Sequence, residues 1–206
     1  MGSAERRQRE AAETRQRILD AARDLFVRDG YEATSMRAIA DRIEYTPTAI
    51  YHHFQNKEAL LNELCQQDFR ALAAAFQRIG RVEDPVERLE RIGAAYVDFA
   101  LDHPMHYQLM FMTPRPGPDH PKGIEKGDPS EDAYAFLLGT VREAMEQGRF
   151  REELTDAEEV AQVLWGMCHG LVSLRIAKAH DPWVEFRDMR ETATHGRQAL
   201  LRGLLR

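Results

Sequence analysis

Ser35-Met36-Arg37-Ala38-Ile39-Ala40-Asp41-Arg42-Ile43-Glu44-Tyr45-Thr46-Pro47-Thr48-Ala49-Ile50-Tyr51-His52-His53-Phe54 is the stretch on which the fold turns. Ser35 is a good N-cap, and Met36, Ile39, Ala40 and Ile43 recur at the spacing of one buried helical face. Thr46 is a second cap, followed by Pro47 at the first helical position, where a missing N–H costs nothing. These signals predict a short helix ending near Ile43, a tight turn at Ile43-Glu44-Tyr45, and a second short helix over 47–53. Ile50 and Phe54 face inward in this reading, leaving Pro47, Thr48, Ala49, Tyr51 and His52 outside. The proportions are those of a helix-turn-helix, whose second helix fits the major groove of DNA. Helix pairs are common in all-α chains, so the spacing alone leaves a plain structural pair open.

Working outward, the rest of the chain also reads as all-α. Val, Ile and Thr make up 26 of 206 residues, and no segment sustains the alternation of a half-buried strand. A first helix over 10–29 buries Ile18, Leu19, Ala22, Leu25 and Phe26, and Gly30 ends it. Asn56 caps a longer fourth helix that carries Leu60, Leu64, Phe69, Leu72 and Phe76 to Ile79. Asp84-Pro85 opens a fifth, and Pro104 a short apolar sixth. Residues 113–129 hold five of the nine prolines and three glycines and read as a mobile loop. Helices over 130–147, 155–180 and 184–205 bring the expected total to nine. The expected division is a flexible arm at 1–11, a head at 12–72 with its fourth helix continuing to 79, and a second domain at 80–206.

Composition narrows the function classes. The chain is 43% hydrophobic and 30% charged, with mean hydropathy −0.54, which suits one or two small globular domains. The polar, charged start does not read as a signal peptide, Met1-Gly2-Ser3 reads equally well as an expression scar, and no apolar run suggests a membrane span. Cys65 and Cys168 lie far apart in no metal-like spacing, which favours a reducing cytoplasmic setting over a disulfide framework. The net charge of −6 argues against nucleic acid, but it is divided unevenly. Residues 1–57 carry ten Lys and Arg against nine Asp and Glu, whereas 58–206 carry eighteen against twenty-five. Phosphate attraction is needed only at the contact surface, so this split permits DNA binding through the N-terminal end.

Lys57 adds to that reading. A cation in the first turn opposes the helix dipole, at a cost of about 0.3–1 kcal/mol. Beside a DNA phosphate the same position becomes favourable, because amides and ammonium converge on one anion. The competing reading is a solvated surface lysine.

Thr34-Ser35-Met36-Arg37-Ala38-Ile39-Ala40, Thr46-Pro47-Thr48-Ala49-Ile50-Tyr51-His52-His53-Phe54 and Asn56-Lys57-Glu58-Ala59-Leu60 together resemble the signature of the TetR family of regulators. The resemblance covers residues 12–72, and its Tyr-x-His-Phe-x-Asn-Lys-Glu-x-Leu run is specific. It implies a homodimeric, ligand-responsive transcriptional regulator, usually a repressor, on a near-palindromic operator. By position, Ser35 and Arg37 would meet phosphate or a base edge, and Thr46 would open the reading helix. Pro47, Thr48, Ala49 and His52 would face bases, while Tyr51, His53 and Lys57 would anchor the backbone. Arg6, Arg7 and Arg9 would form an arm reaching the minor groove or phosphates, with a solvated tail as the alternative. The family's turn usually has Gly and a small aliphatic residue, where this chain has Glu44 and Tyr45.

In the second half, Gly166, Gly170, Ser173 and Ala177 make one small-residue stripe, and Met189, Ala193, Gly196, Leu200 and Gly203 share a face further on. Two such helices suit a four-helix dimer interface, or close packing inside one subunit. Trp165…His169-Gly170 resembles the Trp-His-Gly C-terminal domain of a subset of the family. Phe69, Phe76, Tyr96, Phe99, Met105, Tyr107, Met110, Phe111, Tyr134, Trp165 and His169 would line an apolar ligand cavity or simply form core. A ligand there would tilt the fourth helix and change the spacing of two DNA-reading heads. No cofactor is expected. Asp102, His103 and His106 could suggest a metal site, but Pro104 interrupts them and no further ligand is close in sequence. The rivals are therefore a helical metal-dependent enzyme and an interaction module without DNA binding.

Overall fold

The computed structural model describes residues 2–114 and 122–206, and among these it has nine helices, no strand and one isolated bridge pairing Phe150 with Leu205. The helices are α1 (Ser3–Asp29), α2 (Met36–Arg42), α3 (Pro47–Tyr51), α4 (Lys57–Gln77), α5 (Pro85–Asp102), α6 (Pro104–Phe111), α7 (Ala133–Glu146), α8 (Ala157–Ala177) and α9 (Met189–Leu204). Part of the expected 113–129 loop, residues 115–121, lies outside the described residues, as does Met1.

Local chemistry sets the boundaries. Ser35, Thr46, Asp84, Asp132, Asp156 and Asp188 each cap a helix by accepting a backbone N–H in its first turn. The largest departure is at the start. Residues 3–9 continue α1, so the segment holding Arg6, Arg7 and Arg9 is helical where a flexible arm was expected. Ala, Glu, Gln and Arg are strong helix formers, Glu5 accepts the Gly2 N–H at 2.9 Å, and Arg6 pairs with Glu10 one turn on.

The chain divides into two compact units. The first comprises Met1–Asp68 and Met105–Gly123, the second Phe69–Pro104 and Ile124–Arg206. α4 is thus shared between the two units, and α6 belongs to the first. The core of the first unit is built from Ile18, Leu19, Ala22, Phe26, Ile39, Ile50, Leu60 and Leu64, with Tyr107 and Leu109 of α6 fully buried. A buried carboxylate ties three helices together there. Asp68 of α4 pairs with Arg23 of α1 and, at 2.8 Å, with Nδ1 of His106 on α6.

The second unit packs α5, α7, α8 and α9 against one another. The sequence reading found no span-like run, yet α8 is long and apolar enough to cross a membrane by length and composition. It nonetheless packs in this bundle, with 22% of its apolar stretch buried.

Candidate nucleic-acid interface

The helix-turn-helix forms as read, and its turn shows why Glu44 is unusual. Tyr45 N–H donates to the Ala40 carbonyl and Glu44 N–H to that of Asp41, a paired closure that places Glu44 in the left-handed region at φ 61°. Glycine favours that conformation, because a Cβ there crowds the backbone. The same closure at the end of α7 does use glycine, Gly148 at φ 66°. Tyr45 replaces the usual small residue and is covered by the Arg17 guanidinium, 5.2 Å from its ring centroid, which also donates to the Ile43 carbonyl.

Ile50 and Phe54 anchor α3 in the core, which leaves the opposite face outward. Thr48, Tyr51 and His52 are exposed, Tyr51 by 53%, while Pro47, Ala49 and His53 are half-buried. Ser35 and Thr46 hold their helices by accepting the Ala38 and Ala49 N–H groups, and each hydroxyl hydrogen stays able to donate outward. Arg37 extends from α2 with its side chain 83% exposed, with Asp41 3.8 Å away. The face therefore offers hydroxyls, an imidazole, a phenol, small apolar groups and one extended guanidinium, a set suited to base edges and phosphates.

Lys57 also makes internal bonds. Its ammonium donates to the carbonyls of Tyr31 (2.6 Å), Thr34 (2.9 Å) and Glu32 (3.4 Å), and lies 4.2 Å from the Tyr31 ring centroid. The turn joining α1 to α2 leaves these oxygens unmatched by helical donors, and the lysine gathers them. These bonds engage its three donors and hold the turn that presents Ser35. Arg15 has a similar internal role, stacked on Phe54 at 4.5 Å and paired with Glu63.

In the second unit, some of the suggested ligand residues gather. Trp165 Nε1–H donates to the Tyr96 hydroxyl, which lies 3.0 Å from Nδ1 of His169, and Tyr134 packs against the Trp165 ring. Burial pushes the His169 pKa down, and burial with the Glu158 bond pushes that of Tyr134 up. Phe69, Phe76 and Phe99 also belong to this unit, Phe76 beside Phe136 and Phe99 beside His103. Met105, Tyr107, Met110 and Phe111 fall in the first unit, where Tyr107 and Met110 are buried core. The suggested metal trio is dispersed over other contacts, Asp102 with Arg190 and His106 with Asp68.

The small-residue helices are also only partly as read. Met189 and Ala193 are buried within the subunit, and a Cβ on Gly196 would meet Met167 at 3.1 Å. Gly196 therefore packs on α8 within the subunit, the close packing that was the alternative to a dimer interface for this face. Gly166, Gly170 and Gly203 instead have open space where a Cβ would stand.

A family model described as "Bacterial regulatory proteins, tetR family" matches residues 18–64, and one described as "Tetracyclin repressor-like, C-terminal domain" matches 89–200. The chain belongs to the TetR family. TetR-family proteins are DNA-binding transcriptional regulators rather than enzymes. The chain is 40% identical over 96 residues to the HTH-type transcriptional regulator UidR of Escherichia coli, covering 46% of this chain and 43% of that protein. It is 35% identical over 99 residues to a probable acrEF/envCD operon repressor of Escherichia coli, covering 46% and 45%. The chain thus matches under half the length of these curated relatives. Over nearly the whole chain the fold is shared with the TetR-family regulator PfmR of Thermus thermophilus, with TM-score 0.70, 28% identity, and 92% and 96% of the two chains covered. The fatty acid degradation regulator FadR of Bacillus halodurans shares the fold at TM-score 0.74 and 20% identity, over 92% and 95%.

Proposed function

We propose that this TetR-family chain is a cytoplasmic repressor that holds a near-palindromic operator as a homodimer and releases it when a small, largely apolar ligand binds. The observation that carries the reading is the outward face of α3, with Thr48, Tyr51 and His52 exposed on a helix whose inner side is fixed by Ile50 and Phe54. Arg37, Ser35, Thr46, Pro47, Ala49 and His53 complete the contact set, and Lys57 acts from behind it.

Homodimer formation draws support from α8. An apolar helix that keeps Val163 and Leu174 in water, beside Gly166 and Gly170 with open space, has the composition of an interface awaiting its partner. Ligand recognition draws support from Tyr96, Trp165, His169 and Tyr134, whose polar atoms are bonded to one another or to Glu158 among aromatic surfaces. Membership of the Trp-His-Gly subgroup is part of the same proposal.

The test is selection of bound sequences from random duplex DNA, with wild type, Tyr51→Ala and Leu174→Asp. A palindromic site should emerge for wild type, weaken for Tyr51→Ala, and lose its two-fold symmetry for Leu174→Asp. No enrichment at low salt would refute the DNA-binding reading. For the ligand, compounds that bind the protein without changing operator affinity would refute induced release.

A further inference from the structure

Three helices of the second unit bring together Tyr96 of α5, Tyr134 of α7, and Trp165 and His169 of α8. Their hydrogen bonds have a direction. An indole nitrogen only donates, so the Tyr96 hydroxyl accepts from Trp165 Nε1–H at 3.0 Å. Tyr96 is 4% exposed, and its own proton needs an acceptor inside the protein. Nδ1 of His169 lies 3.0 Å from that hydroxyl and offers a lone pair when the ring is neutral. Burial favours the neutral ring by lowering the His169 pKa. A neutral imidazole whose Nδ1 accepts carries its proton on Nε2.

This relay bears on what a ligand must bring. The Trp165 proton goes to Tyr96, the Tyr96 proton to His169, and the Tyr134 proton to the Glu158 carboxylate at 2.7 Å. The relay therefore ends in a donor, the Nε2–H of a half-buried ring whose centroid is 5.6 Å from that of Trp165. Tyr134 lies 6.0 Å from the same indole and adds apolar surface. The charge bonded directly to the cluster is the negative one of Glu158, which has Arg142 at 3.7 Å. A neutral ligand with an acceptor oxygen matches this set. An anion would meet Glu158, and a group that only donates would oppose the imidazole N–H.

We propose that Trp165 and Tyr96 hold His169 as its Nε2–H tautomer, and that this N–H donates to a carbonyl oxygen of a neutral ligand. This rests on the ligand reading above and gives it a chemical class, a ketone, ester or lactone on an otherwise apolar molecule. His169 is the residue that selects the carbonyl, and Tyr96 is a positioning residue that acts through it.

The test takes two measurements on the full chain. Two-bond nitrogen–proton correlation spectra show which ring nitrogen carries the proton, with the His169 signals identified by their loss in His169→Gln. Wild type should show Nδ1 unprotonated and Nε2 protonated, and Tyr96→Phe should lose that preference. Equilibrium dialysis then compares acetylnaphthalene with ethylnaphthalene, substituted at the same ring position, which share a shape and differ in the carbonyl oxygen. The ketone should bind wild type about tenfold more tightly. That difference should vanish in His169→Leu and survive in part in His169→Gln, which keeps a donor. A proton on Nδ1, a charged ring at neutral pH, equal binding of the two probes or binding of neither would overturn the proposal. So would a ketone preference unaltered in His169→Leu. An apolar compound that releases the operator equally from wild type and His169→Leu would overturn this proposal and leave induced release standing. A ketone preference with operator affinity unchanged would do the reverse.

Discussion

The two units handle polar and apolar groups in opposite ways. In the unit that holds the helix-turn-helix, buried charge is matched: Arg23 lies against Asp68, His106 completes the carboxylate, and the Lys57 ammonium takes three carbonyls. What its helix-turn-helix leaves outside is mostly polar, with Tyr51 the one large hydrophobic side chain exposed on this unit among the described residues. In the C-terminal unit, Val163, Leu174, Trp183 and Val184 are exposed, while Arg197 is buried with Nε and Nη1 lacking hydrogen-bond partners. Arg197 donates to Thr194 at 3.0 Å, its Nε is 3.9 Å from Glu90, and it fills space that a Cβ on Gly93 would need. The contrast teaches that the head is finished as a fold and offers a face to a polar partner. The second unit has apolar surface still to cover.

The largest expected effect falls on the matched charges. Asp68→Ala strands Arg23 in the core, and should cost about 3–5 kcal/mol of stability in denaturant unfolding. A loss near that of a surface ion pair would show that the head does not depend on this carboxylate. A much smaller effect is expected for Arg197→Met. It removes two donors without hydrogen-bond partners but also the Thr194 bond and the long Glu90 pair, and should change stability by under about 1 kcal/mol. Destabilisation as large as that of Asp68→Ala would mean that Arg197 is as well matched as Arg23, and the contrast would collapse.

The third comparison sets Lys57 against Arg37 within the head. Lys57→Ala should lower the melting midpoint by about 1 kcal/mol equivalent through its lost carbonyl bonds, with the salt slope of operator binding unchanged. Arg37→Ala should leave stability alone and flatten that slope by about 0.9. The reverse pattern would return Lys57 to the phosphate backbone. The smallest effect is at the turn. Glu44→Gly should raise stability by about 0.5–1 kcal/mol, because it relieves the left-handed φ of 61°.

How much of this was legible in the sequence follows from the range of the interactions. Caps such as Ser35, Thr46 and Asp84 act within one turn, so the helix starts and the helix-turn-helix could be read directly. Glu44 stands out as an awkward turn residue only against the glycine usual in the family. Arg23 and Asp68 are 45 positions apart, and nothing local marks them as partners. The internal bonds of Lys57 could not be read, because its acceptors are main-chain oxygens, which leave no trace in residue type. On α9, periodicity identified a face with Met189 and Ala193, but it does not say whether the neighbour is α8 of the same chain or another copy. At the N-terminus, a run rich in charge reads as an arm, yet its Ala, Glu, Gln and Arg residues are strong helix formers and extend α1 to Ser3.

The central claim is that one unit reads DNA while the other pairs two copies to do so. Sedimentation of the protein with a selected duplex, carrying either both half-sites or one, tests it most directly. The account predicts two protomers on the two-site duplex and a large loss of affinity when the half-sites are moved apart by half a helical turn. One protomer per duplex, bound equally well to a single half-site, would contradict it.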